Sequence, residues 1–572
     1  MTPRRKTKKT HPKRRLTEKR EAGKLKIIPL GGMEEVGRNM TVFEYEDDIV
    51  IVDMGFQFPE ENMPGIDYII PNVDYLKGKE KNIKGVVITH GHLDHIGAVP
   101  YLIPRLGGPT IYTAKLTRGL IEKRQEEFNE KVTISEIDAD SKIKLGKFNL
   151  EFFAVNHNIP DSFGVLIKTP VGNFVHTGDW KFDHSPVGDQ PADLGRIALI
   201  GQEGVQALLC DSTDAAKKGH AISENGITAN LSQVFEKAPG RIIAATFSSN
   251  INRVHQLILL AEKYGRRVAV EGRSMKNNIE IAYKLKYLKV NPGTMIDIDQ
   301  TRRMPDDKVL IVVTGAQGES RAALMRMANG EHRKTNIKKG DTVLFSSSVV
   351  PGNERTVQYL KDTLVREGAR VIHYQMLDVH AGGHARQEDI KLMIRLLKPN
   401  YYIPVEGSTY QLAKNAEIAK LVGVPENHIF IAGNGQIMEF TKDKGKLTQK
   451  KVPASYVMVD GLGVGDVSNV VLRDRQQLAE DGMFVIIVSL DNKGRLANSP
   501  DIISRGFVYV NESQELMAEA RQRVKKIVQK KHDPRAKSNW AYVKDQLRDD
   551  LGQFLYNKTE RRPMVLPVII QV

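Results

Sequence analysis

The stretch Thr89-His90-Gly91-His92-Leu93-Asp94-His95 constrains this chain more than any other. It follows the apolar run Lys84–Ile88, which reads as a buried strand. Three imidazoles and a carboxylate therefore meet within six residues at a strand's carboxyl end. Histidine is the commonest metal ligand, and imidazole with carboxylate suits Zn2+ or Mn2+. Gly91 lets the backbone bend so that His90 and His92 face one ion. Asp94 and His95 fall on the opening turn of the next segment, aimed at a second.

Two more candidates sit where strands run out. His157 follows the strand Phe148–Val155, within Asn156-His157-Asn158-Ile159-Pro160-Asp161-Ser162. Asp179 follows Asn173–Val175, within His176-Thr177-Gly178-Asp179. Alone, each reads as an ordinary loop residue; beside the first cluster, both become candidate ligands. A carboxylate bridging two ions about 3.5–4 Å apart is what a two-metal hydrolase needs.

Charge points to a partner. The chain has 572 residues and a net charge of +15, and residues 1–26 hold twelve Lys or Arg against Glu18 and Glu21. A basic arm on a nearly balanced body suits a polyanion, or a solvated tail. No apolar run approaches the roughly 18–20 residues a membrane helix needs, and the beginning has no signal-peptide core. The lone Cys210 excludes intramolecular disulfides and a cysteine-based zinc cluster. A cytoplasmic setting is expected.

The first region reads as strand-rich, with Met40–Tyr45 and Ile49–Asp53 as an antiparallel pair. From about Gly226, strands and helices alternate as in a parallel sheet. Strands are expected at Arg241–Phe247, Arg267–Val270, Lys308–Val313, Thr342–Phe345 and Arg370–Ile372, with helices such as Asn252–Tyr264 and Val357–Glu367 between. Thr441–Ser455 is Lys-rich and reads as an exposed connector, and a compact α+β tail follows.

The cluster Thr89–His95 with His157 and Asp179 resembles the metallo-β-lactamase superfamily. Longer phrases narrow the resemblance to its β-CASP branch and, within it, to bacterial ribonuclease J. They are Ile159-Pro160-Asp161-Ser162-Phe163-Gly164, Ala245-Thr246-Phe247-Ser248-Ser249-Asn250, Gly272-Arg273-Ser274-Met275, Thr314-Gly315-Ala316-Gln317-Gly318-Glu319, Gly463-Val464-Gly465-Asp466 and Asn469-Val470-Val471-Leu472-Arg473-Asp474-Arg475. The resemblance runs from about Lys24 to Val572. It implies an α/β protein: a metallo-β-lactamase αββα sandwich (24–225 and 374–440), an inserted β-CASP parallel-sheet domain (226–373), and a small C-terminal α+β oligomerisation domain (481–572). A basic disordered arm (1–23) and a linker (441–480) complete the expected layout.

The resemblance also implies roles. His90, His92 and His157 would hold one Zn2+, Asp94 and His95 a second, with Asp179 bridging. His384 is the implied general acid, and His380, Ala381, Gly382 and Gly383 would let backbone amides approach phosphate. Ser248, Ser249, Asn250, Arg273, Ser274, Ser346 and Ser348 would form a pocket for a 5′-monophosphate at the strand ends of the inserted sheet. Asp460 matches a structural calcium position in some relatives, with backbone oxygens near Pro64 and Ile66; a plain turn aspartate is the alternative. The implied activity is 5′-to-3′ exoribonuclease with added endonuclease action, in mRNA decay and rRNA maturation. Implied partners are RNA, a second or further copies as homodimer or homotetramer, and the ribosome or RNA-degradation machinery.

In one place the chain departs from the family pattern. Where a histidine is expected after the strand ending in Pro404-Val405, Glu406 stands, in Glu406-Gly407-Ser408. Glutamate adds charge and hardness, so Glu406 is expected to remain a ligand and to shift the second site toward Mn2+ or Mg2+. An RNA-binding paralogue with impaired catalysis is one alternative. A DNA 5′-exonuclease of the same branch and a small-molecule metallohydrolase are the others; the inserted domain and basic arm weigh against the last.

Overall fold

A period of two along the strands builds two cores at once. In Phe163–Thr169, Val165 and Ile167 point to one core and Leu166 to another; in Ala207–Asp211, Ala207 and Leu209 oppose Leu208 in the same way. A sheet buried on both faces follows. The computed structural model describes residues 23–60, 62–128, 131–350, 352–492, 495–530 and 540–572. The basic arm, up to residue 22, lies outside the described residues.

The first core fills the space between two sheets. One has eight strands, in the order Gly445–Lys451, Gln436–Phe440, Leu25–Gly31, Met40–Tyr45, Asp48–Val52, Ile83–Val87, Ile111–Thr113, Ile134–Glu136. The other has six: Tyr401–Val405, Ala207–Asp211, Gly172–His176, Phe163–Thr169, Phe148–Ala154, Lys142–Leu145. Phe43, Val50, Phe148, Phe152, Phe174 and Ile403 interdigitate between them. The second core lies on the outer face of the six-stranded sheet. There Leu166, Val175, Leu208 and Tyr402 pack on the helices Leu194–Glu203, Gln387–Leu397 and Thr409–Leu421. The expected sandwich is present.

Strand direction decides where chemistry gathers. Gly172–His176, Ala207–Asp211 and Tyr401–Val405 run parallel as neighbours, as do Asp48–Val52 and Ile83–Val87 in the facing sheet. Parallel neighbours release their loops at the same edge. Asp179, Asp211 and Glu406 emerge beside one another from the first set, and Asp53 and Thr89–His95 from the second.

The inserted domain carries the expected all-parallel sheet, ordered Arg267–Glu271, Val309–Val313, Ile242–Ala245, Thr342–Phe345, Arg370–His373. Two of its inner strands are unbroken apolar runs, Ile242–Ala245 and Val309–Val313, every residue of which is buried. Arg241 anchors the opposite strand ends through a paired contact to Asp341, at 2.8 and 2.6 Å.

The expected linker is largely ordered structure. Gly445–Lys451 pairs antiparallel with Gln436–Phe440 as the outermost strand of the large sheet, and Asn469–Asp481 is a helix. Lysine on an edge strand blocks pairing with other chains, so Lys446, Lys450 and Lys451 gave a genuine strand the composition of a loop.

The chain divides into two units: one runs to Gln57 and resumes over Pro71–Ser455, the other takes Phe58–Ile70 with Tyr456–Val572. In the second, Tyr68–Ile70 pairs with Val457–Asp460, and a separate sheet, Asp501–Arg505, Met483–Leu490, Met564–Gln571, packs on the helices Gln514–Lys530 and Trp540–Thr559. Asp460 lies at the end of the strand Val457–Asp460. Its carboxylate pairs with the Arg475 guanidinium at 2.5 Å, and that guanidinium also donates to the carbonyls of Pro64 and Gly65.

Candidate metal centre

Three imidazoles face one another with no hydrogen bond that could satisfy them all. His92 Nδ1 lies 3.1 Å from His90 Nε2 and 3.0 Å from His157 Nε2. Asp179 Oδ2 lies 3.6 Å from both Nε2 atoms. Four donors about one metal with bonds near 2.1 Å stand about 3.4 Å apart along tetrahedral edges. The observed spacings bracket that value.

Protonation agrees with the spacing. Burial, then the charge of His95, holds His90 well below the usual imidazole range. Burial drives His92 down to about 3, and burial with His92 holds His157 well below its usual value. The three rings are neutral and carry lone pairs into a shared space.

Neighbours fix which nitrogen is free. His157 Nδ1 donates to the Gly383 carbonyl at 2.7 Å, and His95 Nδ1 contacts Asp53 Oδ2 at 2.9 Å. In each case Nε2 is the nitrogen turned toward the cluster, as is usual for metal-binding histidine, and that of His95 also meets the Asn39 side-chain amide at 3.0 Å. Asp53 also accepts from the Thr89 amide at 2.8 Å, which anchors the start of the histidine loop. At Gly55 a Cβ would lie 1.4 Å from the Asp94 carbonyl oxygen, so only glycine lets that loop pass.

The second half is acidic. Asp179 Oδ1 is 3.3 Å, and Asp94 Oδ2 3.7 Å, from His95 Nε2. Asp53, His95 and Glu406 form a further group whose ligand atoms lie within 4.8 Å of one another. Glu406 is 5% exposed, and its Oε2 has no hydrogen-bond partner. Burial, then Asp179, pushes its carboxyl well above the usual range. Burial opposes charge on His95, but Asp179, Asp53 and Asp94 outweigh it and hold the ring well above the ordinary value. An orphaned buried oxygen among carboxylates, beside a tetrahedron of three nitrogens and one carboxylate oxygen, fits divalent metal in both halves.

Asp53 (φ 61°) and Glu406 (φ 55°) both adopt the left-handed region. For a residue other than glycine this costs on the order of 1–3 kcal/mol and is typically kept where function requires it.

His384 closes one side. Its Nδ1 contacts Asp211 Oδ2 at 2.8 Å and lies 3.9 Å from Asp179 Oδ2. Burial works against its charge, yet Asp211 and then Asp179 raise it to about 10. The side chain keeps 22% exposure, so this ring can meet a substrate.

The structure brings His90, His92, Asp94, His95, His157, Asp179, His384 and Glu406 together, and adds two residues that sequence reading missed. Asp53 and Asp211 each end a buried strand, in Ile51-Val52-Asp53 and Leu209-Cys210-Asp211. An acid directly after such a run was the available signal.

The expected phosphate pocket is partly rearranged. The loops carrying Ser248, Arg273 with Ser274, and Ser348 do open at the carboxyl end of the inserted sheet. Arg273 and Ser274 are exposed. Ser346 and Asn250 are fully buried instead. The Ser346 hydroxyl donates to the Val379 carbonyl, and Asn250 Oδ1 caps the helix Ile251–Lys263. Ala381 is buried too, and at Gly383 a Cβ would sit 2.5 Å from the His157 ring, so Gly383 is small to admit that ligand. Burial drives His380 down to about 3, with Arg253 adding to the effect.

The family descriptions "Beta-lactamase superfamily domain", "Ribonuclease J, beta-CASP domain" and "Ribonuclease J C-terminal domain" match residues 64–200, 239–364 and 470–572. Ribonuclease J2 of Bacillus subtilis (strain 168) is 41% identical over 558 residues, covering 97% of this chain and 100% of that protein. The chain belongs to the ribonuclease J family. Ribonuclease J 1 of Streptococcus pyogenes serotype M3 is also 41% identical, over 95% of this chain and 97% of its own. A crystal structure of a protein of unknown function from Enterococcus faecalis V583 shares the fold, with a TM-score of 0.52 at 16% identity over 73% of this chain and 100% of its own. The ribonuclease J family is one of metal-dependent ribonucleases. No helix among the described residues is long and apolar enough to cross a membrane.

Proposed function

We propose that this chain hydrolyses RNA phosphodiester bonds at a two-metal centre, releasing nucleotides 5′-to-3′ from monophosphorylated ends and also cleaving internally. The carrying observation is the pairing of a nitrogen-rich and an acidic ligand group through Asp179, with the Asp211–His384 pair beside them. His90, His92, His157 and Asp179 would hold one ion, Zn2+ by its donors; Asp94, His95, Asp179 and Glu406 would hold the other, with Mn2+ or Mg2+ favoured by oxygen. Divalent ions there supply Lewis acidity and an activated water.

The protein's own groups do the rest. Asp53 keeps His95 Nδ1 engaged, so the ring presents Nε2. Asp211 holds His384 Nδ1, which leaves His384 Nε2 to give a proton to the departing 3′-oxygen. Arg273 and Ser274 offer charge and hydroxyl to a terminal phosphate, at strand ends where open parallel sheets bind ligands.

The decisive experiment uses one labelled RNA bearing a 5′-monophosphate, 5′-triphosphate or 5′-hydroxyl, with Zn2+, Mn2+ or Mg2+ added separately. Mononucleotides from the monophosphate form support this reading. Tight binding without cleavage of any form favours the alternative raised by Glu406, an RNA-binding member with impaired catalysis.

Self-association through the C-terminal sheet belongs to the same proposal. One face packs Phe484, Ile486 and Val488 on helices, while the other presents Ile503, Leu566, Val568 and Ile570 at about 40% exposure. A registered apolar face of this kind suits a second copy. Sedimentation of Val568→Glu against the unaltered chain tests it, a smaller species being expected.

A further inference from the structure

The inserted domain is reached by two passages of chain. The outgoing one leads into the helix Glu224–Lys237; the returning one follows Arg370–His373 and carries Val379, His380 and His384. One side chain grips both. Arg253 is fully buried in the first turn of the helix Ile251–Lys263. It donates through Nη2 to Glu224 Oε2 at 2.6 Å, and through Nη1 to Ser346 Oγ at 2.6 Å and the Val379 carbonyl at 2.5 Å. Ser346 Oγ donates to the same carbonyl at 2.6 Å.

The network continues toward the metals. The other oxygen of Glu224 faces Lys181 Nζ at 3.6 Å, and Lys181 lies two residues past Asp179. Lys181 is itself buried, donating to the Ile222 carbonyl at 3.1 Å with Asp183 3.5 Å away. Charged groups thus run from the end of the strand that delivers Asp179 to the serine loop of the inserted sheet.

Stability alone does not call for this arrangement. A buried ion pair is often no more stable than apolar residues of the same volume, while its geometry does fix one arrangement of the parts. Guanidinium suits the task, since it reaches three acceptors in a planar fork that an ammonium cannot match. Arg253 touches none of the candidate ligands or His384.

We infer that Arg253 is a positioning residue that sets the distance between the RNA-end loops of the inserted sheet and the metal centre, and so the length of nucleotide released. This rests on the RNA-hydrolase reading above. An end held at a fixed distance from the reacting bond yields one product length; an end that shifts yields several.

The test uses the full chain with Arg253→Lys and, separately, the double variant Glu224→Gln/Arg253→Met, which removes both charges and so leaves no unpaired partner between them. Metal content, thermal melting, product lengths from 5′-monophosphorylated RNA, and the preference for that RNA over its 5′-hydroxyl form are measured. Expected are unchanged metal content, di- and longer nucleotides appearing beside mononucleotides, and a preference reduced at least about tenfold. Folded, metal-loaded variants that release only mononucleotides with the original preference overturn the inference. If Arg253→Lys does not fold, the double variant decides alone. If the unaltered protein releases nothing from any RNA, the hydrolase reading falls, and this inference with it.

Discussion

The two halves of the metal cluster are built at the same edge of the same sandwich, yet they solve opposite electrostatic problems. The histidine half brings three neutral rings to one carboxylate, so an ion there adds charge to a nearly uncharged nest. The acidic half places Asp53, Asp94, Asp179 and Glu406 around His95, so an ion there offsets charge that burial already penalises. Donor type, rather than position in the fold, separates the two. The acidic half is also where Glu406 stands, with one buried oxygen that has no hydrogen-bond partner.

Four substitutions test that contrast. Asp179→Asn strikes the one carboxylate shared by both halves. Metal terms of several kcal/mol, at about 1.4 kcal/mol per tenfold, predict a loss of RNA turnover on the order of a thousandfold. Elemental analysis should show both ions depleted; retention of two ions and full turnover breaks the idea of a shared bridge. His384→Gln should lower turnover by roughly a hundredfold or more, as for a general acid, with metal content intact. Loss of metal in that variant would place His384 among the ligands instead.

Asp53→Asn acts chiefly on the acidic half, because the amide oxygen can still accept from the Thr89 N–H that anchors the histidine loop. It weakens the hold on His95 and should reduce metal affinity there about 10–100-fold while the histidine half keeps its ion, as read by titration calorimetry. Equal weakening of both halves would erase the distinction. The smallest effect is expected from Glu406→His, which makes the halves more alike. The ratio of Mn2+ to Zn2+ affinity in the acidic half should fall roughly tenfold, about 1.4 kcal/mol, in competition binding followed by Mn2+ paramagnetic resonance. An unchanged ratio removes Glu406 from the ligand set.

Much of the site was legible because metal ligation needs few residue types. His90, His92 and His95 lie close in sequence, and a strand just before them announces a loop held at a fixed place. Asp53 and Asp211 were not legible, since an aspartate ending a strand is common and each acts through a histidine 42 or 173 residues away. Ser346 was misread for a related reason. A hydroxyl at a strand end looks available in sequence, and only packing shows that Arg253 and Val379 have taken it. The edge strand Gly445–Lys451 was hidden by lysines that serve its exposed position.

Local pattern thus determined the chemistry on offer: which strands form, which are buried on both faces, and that imidazoles and carboxylates cluster where strands end. Those signals depend on neighbours a few residues apart. Tertiary structure decided which distant groups meet, that Arg475 pairs with Asp460, and that one guanidinium clasps both passages to the inserted domain. These outcomes depend on strand order and on burial, which bring together residues hundreds of positions apart and make an unpaired charge too costly to leave alone.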